Sequence, residues 1–292
     1  MPPRRERTLL HLSLFAATGA TLLLAGAMWE GAFDRLSSIW MIPRFVMGHP
    51  TVLVSGVPYA ISILAILASH EMGHYLACRW YGIPATLPFF IPGIGFGTFG
   101  AVIRIRGVIP DRKALFDVAA AGPLAGFSVA LPILIWGLLR ATPVSGGIPP
   151  GAAAFGSPLL SLAIGHFLFG GADLSIDSIY IAGWFGMLIT SMNLFPVGQL
   201  DGGHAVYALS RRWHRLLARG TLVTLIALVA VQTILYRTLS AYTLWCVVLL
   251  LMRDRHPRLE DEITPLGPGR RLGLALLLLI FLICFIPVPL SL

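Results

Sequence analysis

Two histidines four residues apart, with a glutamate beside the first, are the side chains in this sequence most suited to chemistry. They are His70, Glu71 and His74. On a helix, residues four apart lie on one face one turn apart, so both imidazoles could bind one metal ion while Glu71 projects beside them. This arrangement is typical of zinc hydrolases. It lies in an apolar run, residues 51–82, where each ionisable side chain costs about 3 kcal/mol or more and persists mainly where it has a task.

The composition around this motif is that of a membrane protein. Of the 292 residues, 57% are hydrophobic and 12% are charged, whereas about a quarter are charged in soluble domains. Apolar stretches of about 20 residues, enough to cross a bilayer core, occur throughout and leave no room for a separate soluble domain. We therefore predict one integral-membrane domain, residues 1–292. Its net charge of +8 lies in arginines of short loops, which indicates membrane topology and no nucleic-acid partner.

The predicted fold is an all-α polytopic membrane protein with about six to seven transmembrane helices. The first run, residues 9–29, is expected to be a retained span rather than a cleaved signal. The other predicted spans are residues 51–82, 113–140, 176–210, 216–236, 239–252 and 272–290. Arginine clusters occur in alternate loops, at residues 4–7, 104–112, 211–219 and 253–271. The positive-inside rule places these loops and the N-terminus in the cytoplasm.

A segment rich in glycine and proline, residues 82–112, separates the second and third spans. Apolar and charged side chains alternate from Val102 to Arg106, which predicts a β-strand with one wet face. We predict a small membrane-associated hairpin or re-entrant sheet here, at the cytoplasmic interface. Non-helical backbone at that depth must be buried in protein or line a watery cavity, so the hairpin is expected near the active site.

A catalytic zinc site needs a third protein ligand and leaves a fourth position for water. Asp201 is an acid within an apolar segment, and Pro196 with nearby glycines would break the helix there. His204, three residues further along the same face, is the alternative ligand. Asp201 is favoured because a carboxylate in such a segment needs a partner more urgently.

The depths of the two motifs agree. His70 lies nine residues before Arg79, which ends its span on the cytoplasmic side, and Asp201 lies ten residues before Arg211. At the rise of a helix, both lie about 14 Å from that interface. The two motifs can therefore meet at one depth.

The two motifs together, H-E-x-x-H at residues 70–74 and N-x-x-P-x-x-x-L-D-G-G at residues 193–203, resemble the site-2 protease family of intramembrane zinc metalloproteases, which is M50-like. Residues 99–117 and 121–126 resemble its plastid and cyanobacterial branch, without PDZ or CBS domains. The resemblance covers about residues 51–210, the expected catalytic core. Gly198 departs from the family, in which many members have proline.

The resemblance implies a role for each motif residue. One zinc ion would be bound by His70, His74 and Asp201, and Glu71 would be the catalytic base. Asn193 could donate a hydrogen bond to the substrate backbone or the developing oxyanion, with a helix–helix hydrogen bond as the alternative. Three further residues are expected to set local shape: Pro196, Gly202 and Gly203. Asp117 is expected to pair with Lys113, four residues earlier.

The predicted activity is therefore hydrolysis of peptide bonds within or near transmembrane segments of other proteins. An edge strand in residues 96–106 could hold the substrate extended. A membrane metal-ion transporter or an inactive scaffold is the alternative, and Glu71 argues against both because neither needs an acid beside the first histidine. The expected location is the inner or plasma membrane of the cell, with the active site toward the cytoplasm. The sequence leaves the oligomeric state open.

Overall fold

The computed structural model describes residues 8–144, 154–237, 240, 242–252 and 259–291. Helices dominate this part of the chain. They are α1 (Thr8–Trp29), α2 (Ile42–Gly48), α3 (Val57–Trp80), α4 (Arg112–Arg140), α5 (Leu159–Phe169), α6 (Ser178–Asn193), α7 (Asp201–Leu209), α8 (Arg211–Tyr236), α9 (Tyr242–Met252) and α10 (Pro268–Cys284). Short 3-10 helices, Ile39–Met41 and Pro50–Gly56, precede α2 and α3.

Six short strands form three antiparallel pairs among the described residues. They are β1 (Phe89–Pro92), β2 (Thr98–Val102), β3 (Thr142–Pro143), β4 (Ala154–Phe155), β5 (Leu174–Ser175) and β6 (Leu290–Ser291). The pairs are β1 with β2, β3 with β5, and β4 with β6. The predicted architecture, mostly helical with a small sheet, is confirmed.

Four helical stretches of the described residues are long and apolar enough to cross a membrane. These stretches are Thr8–Trp29, Pro50–Trp80, Arg112–Arg140 and Arg211–Leu235. The span expected over residues 176–210 is divided, because α6 and α7 are separated by the turn of residues 194–200. The exact number of spans stays a prediction.

Helices α3, α4 and α6 pack closely because glycines let their backbones approach. A Cβ atom at Gly73 of α3 would lie 2.4 Å from the carbonyl oxygen of Ala121 in α4. At Gly183 of α6, a Cβ atom would lie 2.5 Å from the Cα atom of Leu134. These contacts bring the metal-motif face of α3 against α4, where a larger residue would separate the helices.

The pairing of the β1–β2 hairpin continues beyond the ends of its two strands. Phe89 pairs with Val102, and beyond the strands Ala85 pairs with Ile105 in an isolated bridge. The strand predicted over Val102–Arg106 is therefore displaced: β2 ends at Val102, and the later residues continue as this separate bridge. The sequence did not predict β2 because apolar and charged side chains do not alternate in it.

The tip of the hairpin is anchored among aromatic rings. Phe96 stacks on Phe185 with ring centroids 4.5 Å apart, and also on Trp29 and Trp184. The Tyr59 hydroxyl donates to the Phe96 carbonyl at 2.9 Å. The tip thus lies near the N-terminal end of α3, at the opposite end from the histidines.

The sequence predicted that Asp117 of α4 pairs with Lys113, and this prediction is wrong. The Asp117 carboxylate accepts hydrogen bonds from the Arg270 guanidinium of α10 at 2.7 and 2.8 Å and from the Tyr81 hydroxyl at 2.5 Å. Burial, reinforced by the Asp117 carboxylate, raises the pKa of the Tyr81 phenol, so the hydroxyl remains a donor. The guanidinium is preferred because its planar fork matches a carboxylate, whereas a lysine four residues away offers one flexible contact.

Candidate active site

Three potential ligand atoms converge from two helices. His70 and His74 lie one turn apart on α3, and Asp201 is the first residue of α7. The two histidine Nε2 atoms are 3.1 Å apart. The Oδ2 atom of Asp201 lies 3.2 Å from Nε2 of His70 and 3.3 Å from Nε2 of His74. The depth agreement of the two motifs is therefore realised in the fold.

This triangle of atoms fits a zinc ion. Four ligands placed tetrahedrally at the usual zinc distances are separated by about 3.3 Å, close to the three spacings observed. Two imidazoles and one carboxylate are a ligand set that zinc commonly takes in catalytic sites. His204 lines the same cavity, but the group of ligand atoms within 4.8 Å of one another, among the described residues, is His70, His74 and Asp201.

The orientation of His74 is fixed by the main chain of α4. Its Nδ1 atom lies 2.7 Å from the carbonyl oxygen of Val118, and because a carbonyl only accepts, Nδ1 carries the hydrogen. The lone pair of Nε2 is then directed toward the ligand group, as in metal sites where a second hydrogen bond sets the tautomer. The Nδ1 atom of His70 is buried without a hydrogen-bond partner in the described structure, so the polar contacts of that ring are those of Nε2 with Asp201 and Asn193.

Two glycines of α4 make room for the imidazoles. A Cβ atom at Gly122 would lie 2.1 Å from Nε2 of His74, and one at Gly126 would lie 3.1 Å from Nδ1 of His70. The sequence predicted Asp201 but missed Val118 and the contact of Gly122. A backbone carbonyl carries no signal of residue type, whereas the G-x-x-x-G spacing of α4 gives a detectable signal of close helix packing.

The turn between α6 and α7 positions Asn193 and Asp201. A Cβ atom at Gly202 would lie 2.0 Å from the Leu194 carbonyl oxygen, and one at Gly203 would lie 2.6 Å from that of Gly198. Gly198 has a φ of 55°, which the proline ring cannot adopt. Glycine at this position, where many family members have proline, therefore allows the observed backbone conformation.

Asn193 and Pro196 occupy different parts of this turn region. Asn193 ends α6, and its Nδ2 atom lies 3.3 Å from Nε2 of His70. Its amide is thus directed at the ligand group. Pro196 lies within the turn and is not among the residues that line the cavity.

Glu71 faces a cavity of about 230 Å³ next to the ligand group. Its side chain is buried, and Ile103, just beyond β2, lines the same cavity. The cavity walls come from α3, α4, the α6–α7 turn and the hairpin. The lining residues include Ala101, Val102, Ile103, Ile105, Leu115, Ala119, Asn193 and His204. An acid, a potential metal site and an amide therefore share one small cavity.

Comparison with known proteins places these residues in a family context. Residues 58–236 match the profile of peptidase family M50, a range that includes both motifs. A relative from Arabidopsis thaliana, "Probable zinc metalloprotease EGY2, chloroplastic", is 34% identical over 246 residues, which are 82% of this chain and 43% of the relative. A rice relative, "Probable zinc metalloprotease EGY1, chloroplastic" (Oryza sativa subsp. japonica), is 38% identical over 160 residues, 52% of this chain and 28% of the relative. The chain spans less than half the length of these relatives.

Proposed function

The chain belongs to peptidase family M50, and we propose that it is an intramembrane zinc metalloprotease. It hydrolyses peptide bonds within or near transmembrane segments of other membrane proteins. The observation that carries the proposal is the convergence of His70, His74 and Asp201 beside Glu71 in one cavity. The alternatives, a metal transporter or an inactive scaffold, give no role to Glu71, which is buried next to the ligand group but is not part of it.

The proposed roles follow from these positions. Zinc, when bound, acidifies water and polarises the scissile carbonyl. His70, His74 and Asp201 hold the ion, and the Val118 carbonyl keeps Nε2 of His74 available as a ligand. The Glu71 carboxylate takes a proton from the attacking water and passes it to the leaving amine.

We propose that Asn193 acts on the substrate in addition to its contact from α6 to His70 of α3. Its amide nitrogen lies close to the metal-facing atom of His70. From there it donates a hydrogen bond to the substrate carbonyl as negative charge develops on the oxygen. Pro196, Gly202 and Gly203 set the shape of the turn that holds Asn193 and Asp201 in these positions.

A transmembrane substrate must unwind before cleavage, because a helix hides its carbonyl groups in its own hydrogen bonds. The β2 edge beside the cavity holds the unwound segment by strand addition. We include in the proposal a single domain over residues 1–292 with its catalytic core at about 51–210. Six or seven spans cross the inner or plasma membrane of the cell, with the N-terminus and the active site toward the cytoplasm, as the arginine distribution indicates.

The experiment that tests the function compares cells expressing the native chain or Glu71→Gln. Glutamine retains the side-chain volume but cannot accept the proton, so we expect zinc binding without cleavage. Uncut membrane proteins should accumulate only with the variant, and their shorter fragments only with the native chain. Identical membrane-protein profiles under several stress conditions, with zinc bound to the native chain, would contradict the proposal.

A further inference from the structure

The hairpin strand beside the cavity is paired on one side only. The Thr86 N–H donates to the Arg104 carbonyl at 3.0 Å, and the Arg106 N–H donates to the Pro84 carbonyl at 2.7 Å. Within the described residues, β2 and the segment that follows it have no strand on the other side. In an antiparallel pair, the main-chain groups of alternate residues point to opposite edges. Those of Ile103 and Ile105 therefore face the open edge.

This open edge faces the catalytic cavity. Ile103 and Ile105 both line the cavity with Glu71. The cavity therefore brings the open edge and the Glu71 carboxylate together. An extended peptide that pairs with the edge would therefore place its backbone next to Glu71.

Two arginines occupy the opposite face of the same segment. Arg104 and Arg106 alternate with the two cavity-lining isoleucines, and both side chains are exposed. Neither forms an ion pair with any described part of the chain. A strand added to the edge would place alternate side chains about 5 Å from these arginines, close enough for cross-strand charge interactions.

Resting on the proposed protease function, we propose that Arg104 and Arg106 select substrates with acidic residues at alternate positions flanking the cleaved segment. The flank is the part of the substrate that leaves the active site toward the arginine-rich side of the membrane. Cytoplasmic flanks of membrane proteins usually carry lysine and arginine, which these two arginines would repel. The edge thus disfavours the common basic flanks and favours the minority of membrane proteins whose flanks are acidic.

Substrate binding is measured separately from cleavage. The full chain carrying Glu71→Gln is loaded with zinc in nanodiscs of phosphatidylcholine. The probes are fluorescent peptides with one apolar segment interrupted by Gly-Pro and three flanks: Asp-Ser-Asp, Asn-Ser-Asn or Lys-Ser-Lys. We expect the acidic flank to bind about five- to tenfold more tightly than the neutral flank, because each cross-strand charge pair contributes modestly.

Variants of Arg104 and Arg106 test whether this preference depends on the hairpin edge. Replacing Arg104 and Arg106 by glutamine should abolish it, and replacing both by glutamate should reverse it in favour of the lysine flank. The matched control is Arg79→Gln, which removes an exposed arginine at the end of α3 that donates to the Tyr75 hydroxyl and is not part of the hairpin strands. This control should keep the native preference. Zinc content and helical circular dichroism establish that each variant is folded.

Equal binding of the three flanks would overturn the proposal. It would also be overturned if the arginine variants alter binding only in phosphatidylglycerol nanodiscs and irrespective of flank, because the arginines would then bind lipid phosphates. Cleavage by the native chain separates this inference from the protease function. Equal cleavage of all three peptides refutes the flank selection alone, whereas flank-dependent binding without cleavage of any peptide refutes the protease function alone.

Discussion

Gly122 of α4 lies directly against the imidazole of His74, so that a Cβ atom at position 122 would be 2.1 Å from Nε2. Gly122→Ala would therefore place a methyl group at the atom proposed to bind zinc. We expect this variant to lose zinc and proteolytic activity, as measured by metal content after purification and by cleavage of a membrane reporter.

The matched control for this glycine is Gly126→Ala, one turn along the same helix. Its Cβ atom would lie 3.1 Å from both Cβ and Nδ1 of His70, a tight contact that a small shift of the His70 side chain and of α4 can relieve. It should retain zinc with at most a few-fold loss of activity. Equal zinc binding by the native chain and Gly122→Ala would disprove the steric role of Gly122.

Zinc removal should abolish activity and lower stability together. The proposed ligands join α3 to α7, so the metal favours the folded state, and a ligand at about 100 times its Kd contributes about 2.7 kcal/mol. A chelator should stop cleavage and lower the Tm in detergent, and zinc should restore both. With Glu71→Gln, zinc should restore only the Tm; restored cleavage in that variant would exclude Glu71 as the base.

Asp201 and His204 are distinguished by exchanging each for alanine. Asp201→Ala should lose zinc, because Oδ2 of Asp201 is within 3.3 Å of both histidine Nε2 atoms. His204→Ala should retain it, because His204 lies outside the close ligand group. Zinc content of the two purified variants decides the assignment, and the reverse pattern would make His204 the third ligand.

Asn193→Ala should reduce kcat while leaving zinc content unchanged. Loss of one hydrogen-bond donor to a developing oxyanion typically lowers kcat about 100- to 1000-fold. A donor acting only in the transition state affects kcat more than KM, so both constants are measured on one reporter. Unchanged kcat with a lower Tm would instead assign Asn193 to helix packing.

Arg270→Ala should destabilise the fold through Asp117. The variant removes two hydrogen bonds from a carboxylate that is about one-third exposed, so the expected loss in the free energy of unfolding is about 1–2 kcal/mol. Lys113→Ala is the control and should change it by less than about 0.5 kcal/mol. Denaturant unfolding in micelles measures both, and a larger effect of Lys113→Ala would contradict the observed pairing.

The sequence predicts relationships that follow from helix geometry better than those that depend on distant packing. The approach of Asp201 to His70 was predictable because a helix has a fixed rise, and both residues are counted from an arginine at the same interface. The partner of Asp117 was not predictable, because Arg270 is 153 residues away and local spacing favours Lys113. Pro196 and the glycines indicated the break between α6 and α7, but they did not indicate that Gly202 packs on the Leu194 carbonyl oxygen.

The anchored tip of the hairpin has a consequence for where cleavage occurs. Phe96 is held among aromatic rings at one end, and Arg104 is hydrogen-bonded to Thr86 at the other, so the edge between them is anchored at both ends. A peptide aligned on that edge meets Glu71 at a fixed height, whatever the length of its own apolar segment. Under the proposed protease function, the position of the cut would therefore be set by the hairpin and Glu71 rather than by the length of the substrate's apolar segment.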